Sequence, residues 1–193
     1  MTLFPVILPV READPSLSGA EKVSRLSRIA REALQLSAQK SGVTLGELEK
    51  DDDDVPCPAN GTHWSISHKP GCVAAVVSDS NIGIDIEEIE PRAEPIFGLV
   101  ASDEEWELGN GKGWDTFFRY WTAKEAVLKA AGIGIGGLKK CRVTSIPDGN
   151  RIVLNYQDQL FQVEHMYYEN HIVSILKGDH EVRWVIAEDF NHG

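Results

Sequence analysis

Two carboxylates in one short segment have the type and spacing that divalent-metal chemistry requires. Asp85 and Glu87 alternate with isoleucines in Ile82-Gly-Ile-Asp-Ile-Glu, so a strand would place both carboxylates on one face. Like charges this close repel each other unless a cation lies between them. Mg²⁺ prefers a few carboxylates, waters and substrate phosphates, and it would supply that charge. The alternative is a solvated acidic strand end, because Glu88 and Glu90 follow.

A second segment about forty residues later carries a third carboxylate and a lysine. Residues 117–129 read FFRYWTAKEAVLK, and no Gly or Pro interrupts them before Gly132, so the segment predicts a helix. Glu125 and Lys129 are four residues apart and therefore share one face of that helix. Periodicity alone favours a simple surface ion pair between the two.

Three motifs in this order resemble the signature of the 4'-phosphopantetheinyl transferase superfamily. In chain order they are Trp64-Ser65-Ile66-Ser67-His68, Gly83-Ile84-Asp85-Ile86-Glu87 and Trp121-Thr122-Ala123-Lys124-Glu125-Ala126-Val127-Leu128-Lys129. Together they span residues 64–129, and the rest of the chain resembles the family only in general layout. One such block would be weak evidence, whereas three in order are specific.

The resemblance implies a Mg²⁺-dependent transferase that uses coenzyme A. Such an enzyme moves the 4'-phosphopantetheine group onto a serine of an acyl- or peptidyl-carrier protein and releases adenosine 3',5'-bisphosphate. By resemblance, Asp85, Glu87 and Glu125 are the expected metal ligands. Glu125 is also the expected base, directly or through a metal-held water, and Lys129 is expected to stabilise the leaving bisphosphate.

The resemblance also implies which residues contact coenzyme A. The expected contacts are Ser67 and His68 at a strand end, Lys124 and Lys129 on the catalytic helix, and Arg28 and Arg31 on the first helix. The alternatives are a structural histidine and ordinary surface arginines. Many family members have a Gly-Lys-Pro whose lysine contacts the coenzyme, but this chain has Asp54-Val55-Pro56 there, so that contact is missing or supplied from elsewhere.

Two other functions remain open at this stage. One is a coenzyme A or carrier-binding module that has lost turnover, and the other is a different Mg²⁺-dependent phosphoryl-transfer or hydrolytic enzyme. A module of the first kind would be expected to have a broken set of metal ligands, but all three acids are present in this chain.

Composition narrows the class of protein and its partners. The chain has 193 residues and a formal net charge of −11, which disfavours nucleic acid as a partner. Its three cysteines lack paired spacing, which argues against a disulfide framework and fits a reducing cytoplasm. We expect no signal peptide, because two prolines interrupt the apolar N-terminus, and no membrane span.

The charges are unevenly distributed along the chain. Residues 79–107 hold ten acids and one base, whereas residues 112–142 hold seven bases and two acids. A local basic surface on an acidic protein suits an acidic partner, and carrier domains are commonly acidic. We therefore expect the carrier to dock on region 112–142, with chance patterning as the alternative.

The element pattern predicts an α+β fold of two similar halves. Helix followed by strands occurs at 19–86 and again at 114–188. This repeat agrees with the long, pseudo-dimeric type of the family, in which two α+β halves are related by a pseudo-twofold axis and the coenzyme lies between them. We expect an N-terminal half at 1–88, a C-terminal half at 89–193 with the catalytic helix, and a monomer.

Individual elements have local signals of their own. Ser18 with Glu21 and Ser102 with Glu105 are capping boxes that begin helices ending at about Ser41 and Leu108. A short helix is expected at 45–50 and a solvated acidic loop at 51–54. Strands are expected at 3–10, 63–67, 72–78, 83–87, 141–146, 151–155, 159–165, 171–176 and 182–188.

Overall fold

The computed structural model describes residues 1–10 and 15–187 and has a mixed α+β fold with several sheets. The helices are α1 (Gly19–Ser41), α2 (Phe97–Val100), α3 (Asp103–Leu108) and α4 (Trp114–Ala130), with 3-10 turns at Glu94–Ile96 and Ile135–Gly137. The first strands are β1 (Thr2–Leu3), β2 (Val6–Pro9), β3 (His63–Lys69), β4 (Cys72–Ser78) and β5 (Ile84–Glu88). The later strands are β6 (Arg142–Asp148), β7 (Arg151–Tyr156), β8 (Gln159–Tyr168), β9 (His171–Leu176), β10 (Glu181–Val182) and β11 (Val185–Ile186).

The strands form three sheets. A four-stranded sheet has the order β11-β2-β4-β3, a five-stranded sheet has the order β5-β9-β8-β7-β6, and β1 pairs with β10. β5 ends at Glu88, inside the expected N-terminal half, but pairs with β9 of the other half. In contrast, β10 and β11 come late in the chain and pair with β1 and β2. Strand pairing therefore crosses the expected domain boundary in both directions, and that boundary stays a prediction.

Burial divides the core into three clusters. The long helix α1 packs its buried face, including Ala30 and Leu34, against β2 and β4. Helix α4 packs Phe117, Phe118 and Leu128 against the five-stranded sheet. Between the two sheets lies an aliphatic cluster made by Leu3, Ile7, Cys72, Ala74, Val76, Ile82, Ile84, Ile86, Val173 and Ile175. The layers therefore run helix, sheet, sheet, helix.

Most of the predicted elements are confirmed, and the capping signals are accurate. Ser18 and Ser102 both make the reciprocal bonds of a capping box, and α1 ends at Gly42 in the left-handed conformation. The strand expected at 3–10 is divided into β1 and β2, which pair with different strands. The strand expected at 182–188 is divided into two strands of two residues each, β10 and β11. Glu188 lies outside the described residues.

The helix expected at 45–50 is wrong. Val43, Leu45 and Leu48 instead lie in a chain segment without helix, where they pack on the core beneath α1. The segment is held by a bridge between Lys50 and Pro56 and by the Cys57 amide, which donates to the Glu49 carbonyl. Tertiary burial outweighs the weak local helical preference here.

Gly83 allows α4 to approach β5 closely. A Cβ at this position would lie 1.9 Å from the carbonyl oxygen of Ala126 and 2.9 Å from the amide nitrogen of Ala130. Both contacts are to helix backbone, which cannot rotate away as a side chain can.

Among the described residues, no helix is both long and apolar enough to cross a lipid bilayer.

We predict that Gly83→Ala destabilises the protein because it pushes α4 away from β5. Overpacking usually costs about 1–3 kcal/mol, and a backbone clash belongs at or above the upper end of that range. Urea unfolding monitored by circular dichroism measures the loss. Gly98→Ala in α2 is the control, since a Cβ there meets nothing within 4 Å. Equal stability for the two variants would contradict this account of the contact.

Candidate active site

The two carboxylates of β5 lie on one face, as the alternation predicted. Asp85 and Glu87 are both buried, while Ile84 and Ile86 face the opposite side and belong to the cluster between the sheets. The carboxylate face is the side of β5 that meets α4, because the Lys129 ammonium reaches Asp85 from that helix. The strand therefore places both acids between its own sheet and α4, so they are not a solvated acidic strand end.

Lys129 donates hydrogen bonds to residues of β5 and β3. Its Nζ donates to Asp85 Oδ1 at 2.7 Å, to Ser67 Oγ at 3.1 Å and to the Ile84 carbonyl at 3.1 Å. These three acceptors use all three ammonium hydrogens. No ion pair joins Lys129 to Glu125 within the part of the chain that the structure describes, so the surface-pair interpretation is wrong.

Glu125 has the most unusual environment among the acids of this site. Burial, followed by the negative charge of Asp85, raises the pKa of Glu125 to about 7, and Glu87 adds to the effect. Its Oε1 is buried and has no hydrogen-bond partner among the described residues. A carboxyl that exchanges its proton near neutral pH suits a general base, and perturbed groups of this kind concentrate at functional sites.

Glu87 is held by two cations that the sequence did not indicate. Its Oε2 lies 3.0 Å from Lys69 Nζ and 3.0 Å from Arg92 Nη2. Lys69 ends β3, and Arg92 follows β5 and covers the ring of Phe118 at 4.9 Å. The one signal available in the sequence was that each base adjoins a motif, since Lys69 follows His68 and Arg92 follows the acidic run.

Serine hydroxyls join β3 to β5 where backbone pairing would otherwise be expected. The amides of Ile84 and Ile86 donate to Ser65 Oγ at 3.1 Å and to Ser67 Oγ at 3.3 Å. Ser67 Oγ also donates to Asp85 Oδ1 at 2.9 Å. Ser67 is therefore part of the Asp85–Lys129 network, and the predicted contact with coenzyme phosphate stays a prediction.

His68 lies where several positive charges meet. Its Nε2 is 3.3 Å from Ser27 Oγ on α1. Burial, then Lys129, and more weakly Lys69 and Lys50, lower the pKa of His68. Positive charges that converge on a half-buried ring indicate a surface suited to an anion.

The two candidate arginines of α1 differ in their surroundings. Arg31 is exposed and lies one turn after Ser27, on the side of α1 that reaches His68. Arg28 is exposed too, but its Nη1 is paired with Glu32 at 2.9 Å. The structure thus leaves Arg31 more available to a ligand than Arg28.

The position of Lys124, an expected coenzyme A contact, does not support that role. Its side chain is fully buried, and Nζ donates to Glu105 Oε1 at 2.7 Å and to the carbonyl of Val100. Glu105 also accepts from the amides of Val143 and Ser102. Helix α4 points this lysine inward, so it ties α4 to α3 and β6. The capping-box motif identified Glu105 only as a capping residue, and no sequence signal indicated that it pairs with Lys124.

A cleft of about 620 Å³ opens beside Lys129. Its walls come from three places: the 50–56 loop, strand β3 and the Gly132–Gly134 turn after α4. Trp64 and Ile82 give it apolar surface, and Asp53 and Asp54 lie at its acidic side. The acidic loop that sequence analysis regarded as merely solvated is therefore a wall of the cleft. Its position next to the family's Gly-Lys-Pro region was the available signal.

The acids of this site fit a hard divalent cation in their chemistry. Asp85 Oδ2 and Glu125 Oε1 are both buried and have no partner among the described residues, so each keeps an oxygen for a cation. No group of three or more His, Cys, Asp or Glu side chains among the described residues is arranged to hold a metal. Mg²⁺ often takes only one or two carboxylates, with water and substrate phosphate completing its coordination.

Comparison with known proteins gives a consistent result. The family model described as the 4'-phosphopantetheinyl transferase superfamily matches residues 81–182. The L-aminoadipate-semialdehyde dehydrogenase-phosphopantetheinyl transferase of Schizosaccharomyces pombe is 36% identical over 98 residues, covering 42% of this chain and 38% of that protein. The 4'-phosphopantetheinyl transferase HetI of Nostoc sp. is 34% identical over 95 residues, with 46% and 40% covered. The chain spans about two fifths of the length of these relatives.

We predict that Lys124→Met destabilises the protein by about 3–5 kcal/mol, because it leaves a buried carboxylate unpaired. Adding Glu105→Gln should recover part of this loss, since the amide oxygen can still accept from Val143. Lys112→Met is the control: Lys112 pairs with Asp103 on the surface, where a pair contributes at most about 1 kcal/mol. Thermal and urea unfolding measure the stability of Lys124→Met, of the double variant and of Lys112→Met. A stable Lys124→Met protein with weaker coenzyme A binding would contradict the structural role.

Proposed function

The chain belongs to the 4'-phosphopantetheinyl transferase superfamily, and from this premise we propose that it transfers 4'-phosphopantetheine from coenzyme A to a serine of an acyl- or peptidyl-carrier protein. The other product is adenosine 3',5'-bisphosphate. The observation that carries the proposal is the meeting of Asp85, Glu125 and Lys129 beside a cleft of about 620 Å³. All three lie in the segment that the family model matches.

The proposed metal is Mg²⁺, held by Asp85 and Glu125 with Glu87 as a third ligand. Bound there, the ion would neutralise charge on the pyrophosphate of coenzyme A. The unpartnered oxygens of Asp85 and Glu125 support the first two assignments. Lys69 and Arg92 compete for Glu87, so its role as a ligand requires that it exchange one of these contacts.

Glu125 is the proposed general base. Its carboxyl has a pKa raised to about 7, so at neutral pH a substantial fraction is ionised and able to accept a proton, directly or through a metal-held water. The proton comes from the carrier serine, whose oxygen then attacks the phosphorus that bears the pantetheine arm. The bond from that phosphorus to the bisphosphate oxygen breaks.

Lys129 is the proposed stabiliser of the leaving bisphosphate. It lines the cleft, and its ammonium is held at the mouth of the site by Asp85, Ser67 and the Ile84 carbonyl. One of the three ammonium hydrogens would turn from its present acceptor to phosphate when coenzyme A binds. A positive charge already fixed beside the ligand needs little reorganisation in the transition state.

The remaining coenzyme contacts are proposed for Ser67, His68, Arg31 and Arg28. The positive surroundings of His68 and the exposed position of Arg31 support a phosphate site between α1 and β3. Such a site would supply the charge that the missing Gly-Lys-Pro lysine provides elsewhere in the family. Arg28 would first have to leave Glu32.

Carrier docking is proposed on the basic region 112–142, where the structure narrows the choice of residues. Five of its seven bases already have partners: Lys112, Arg119, Lys124, Lys129 and Arg142. The side chains of Lys139 and Lys140 are exposed and make no hydrogen bond or ion pair with other described residues. They follow a turn in which Ile135 is 60% exposed, so charge and apolar surface adjoin.

We further propose a pseudo-dimeric arrangement of the chain, with halves at 1–88 and 89–193, a monomeric state and a cytoplasmic location. Each of the two larger sheets packs against one long helix, which supports the repeat. The three cysteines are unpaired, and burial raises the pKa of Cys72 and Cys141 to about 12, which agrees with structural thiols.

Mass spectrometry of a carrier protein tests the proposal directly. Apo carrier is incubated with this protein, coenzyme A and Mg²⁺. Gain of the pantetheinyl arm supports transfer. Carrier or coenzyme binding without modification would mean a binding module, and coenzyme cleavage without carrier modification would mean a hydrolytic enzyme, so either result rejects the proposal.

We predict that Glu125→Gln and Asp85→Ala respond differently to added Mg²⁺. Loss of a general base commonly costs about 10²–10⁴-fold in rate. Glu125→Gln should show a loss of this size in the transfer rate at every Mg²⁺ concentration. The transfer rate of Asp85→Ala should recover in part when the Mg²⁺ concentration is raised. Transfer rates measured across a Mg²⁺ titration separate the two. Full recovery of Glu125→Gln would make Glu125 a ligand only.

A pH dependence of stability follows from the same carboxyl. A raised pKa means that folded Glu125 holds its proton at pH values where the unfolded group has lost it. Stability from this group is therefore lost as pH rises from its ordinary value of 4.5 through about 7. Without Mg²⁺, Glu125→Gln should unfold at a higher temperature than the parent protein at pH 8, and at a similar temperature at pH 4. The opposite order at pH 8 would contradict the raised pKa.

We predict that Lys139→Glu with Lys140→Glu raises KM for the carrier about tenfold or more while KM for coenzyme A changes little. Opposite charges at an interface mainly accelerate encounter between the partners. Added salt should therefore weaken carrier binding by the parent protein more than carrier binding by the variant. Lys112→Glu is the matched control, because Lys112 is basic and exposed but already paired with Asp103. An unchanged carrier KM in the double variant would place docking elsewhere.

A further inference from the structure

Three buried polar side chains lie where α4 packs on its sheet, and they have no part in the mechanism above. Thr122 on α4, Ser174 on β9 and His165 on β8 are each no more than 2% exposed. Thr122 Oγ1 lies 2.5 Å from Ser174 Oγ, which lies 2.7 Å from His165 Nδ1. Buried polar groups in a core are costly unless they are satisfied, so a linked set of three is worth explaining.

The direction of each hydrogen bond in this chain can be derived. Thr122 Oγ1 lies 2.8 Å from the Phe118 carbonyl, which can only accept, so the threonine hydrogen goes there. Ser174 must then donate to Thr122, and His165 Nδ1–H must donate to Ser174. Donation therefore runs in one direction, from His165 on β8 to Ser174 on β9 and then to Thr122 on α4, and His165 is the tautomer protonated at Nδ1.

The ring of His165 is neutral under this arrangement. Burial, followed by the charge of Arg119, lowers the pKa of His165 to about 3. Its Nε2 is then an acceptor, and it has no partner among the described residues. The Nε of Arg119, also on α4, is likewise buried without a partner.

Strand register connects these residues to the active site. Asp85 on β5 is directly opposite Ser174 on β9, which is directly opposite His165 on β8. Opposite residues in antiparallel strands project from the same face of a sheet. One cross-strand row therefore carries a proposed metal ligand at one end and the hydrogen-bonded residues beside it, all facing α4.

We propose that Thr122, Ser174 and His165 form a tether that fixes the rotation of α4 on the sheet and thereby positions Glu125 relative to Asp85. Glu125 lies three residues after Thr122, which is one turn along the helix. Apolar packing alone tolerates small rotations of a helix, whereas a directed hydrogen bond to a chosen strand residue does not. The three are positioning residues, since they do not touch substrate.

The proposal rests on the proposed function in one respect, namely that Asp85 and Glu125 share a metal ion. Its existence as a hydrogen-bonded unit does not depend on that. Long-range ¹H–¹⁵N NMR of the histidine ring reads the tautomer directly. Neutral His165 protonated at Nδ1 is expected, and a ring protonated at Nε2 would overturn the chain of donors.

The positioning role is tested with Mn²⁺ as the probe, bound to the protein without coenzyme and quantified by electron paramagnetic resonance of the free ion. Thr122→Val keeps the shape of the side chain but removes the hydroxyl, and Thr122→Ser restores it. Loss of a supporting partner commonly weakens metal affinity by about 10–100-fold. We expect about tenfold weaker binding for Thr122→Val and near-parent binding for Thr122→Ser.

Ile152→Val is the control for stability, because it removes one buried methylene on β7 from the same core cluster. It should lower the unfolding temperature without changing Mn²⁺ affinity. Equal weakening by Ile152→Val and Thr122→Val, or none by Thr122→Val, would overturn the positioning role. Asp85→Ala separates the two proposals: if it retains parent Mn²⁺ affinity, the metal site itself is wrong, and the tether has nothing to position.

Discussion

The close approach of α4 to β5 at Gly83 is the constraint on which the rest of the site depends. A helix carbonyl occupies the place where any other residue would carry its Cβ. This contact lets Lys129 reach Asp85 across 2.7 Å and brings Glu125 near the same acid. The hydroxyls of Ser65 and Ser67 then join β5 to β3, so that residues from both sheets converge beside the cleft.

Charge compensation explains how so many buried acids coexist. Asp85 is paired with Lys129, Glu87 with Lys69 and Arg92, and Glu105 with Lys124. An ionised carboxylate in a protein interior is costly without such a partner. Glu125 has no ion-pair partner among the described residues, and its raised pKa is the consequence. The acid left uncompensated is the one to which the mechanism assigns a proton.

The two lysines of helix α4 show that a motif residue can serve either the candidate site or the fold. Lys129 lies in the cleft wall, whereas Lys124 is fully buried against Glu105 and ties α4 to α3 and β6. Thr122 lies on the same helix and bonds to Ser174 below it. Helix α4 therefore holds its position through polar contacts on its inner side while it presents Glu125 and Lys129 to the site.

The sequence by itself determined the α+β class, most element boundaries and the capping boxes. It also determined that Asp85 and Glu87 lie on the same face of one strand. These follow from local periodicity and end signals, which act within a few residues. Only the tertiary structure decided the partners of Lys124 and Lys129, the cations on Glu87 and the acidic loop in the cleft wall. Such contacts join residues far apart in the chain, and no spacing rule predicts which charge a long side chain reaches once burial has fixed the packing of helix on sheet.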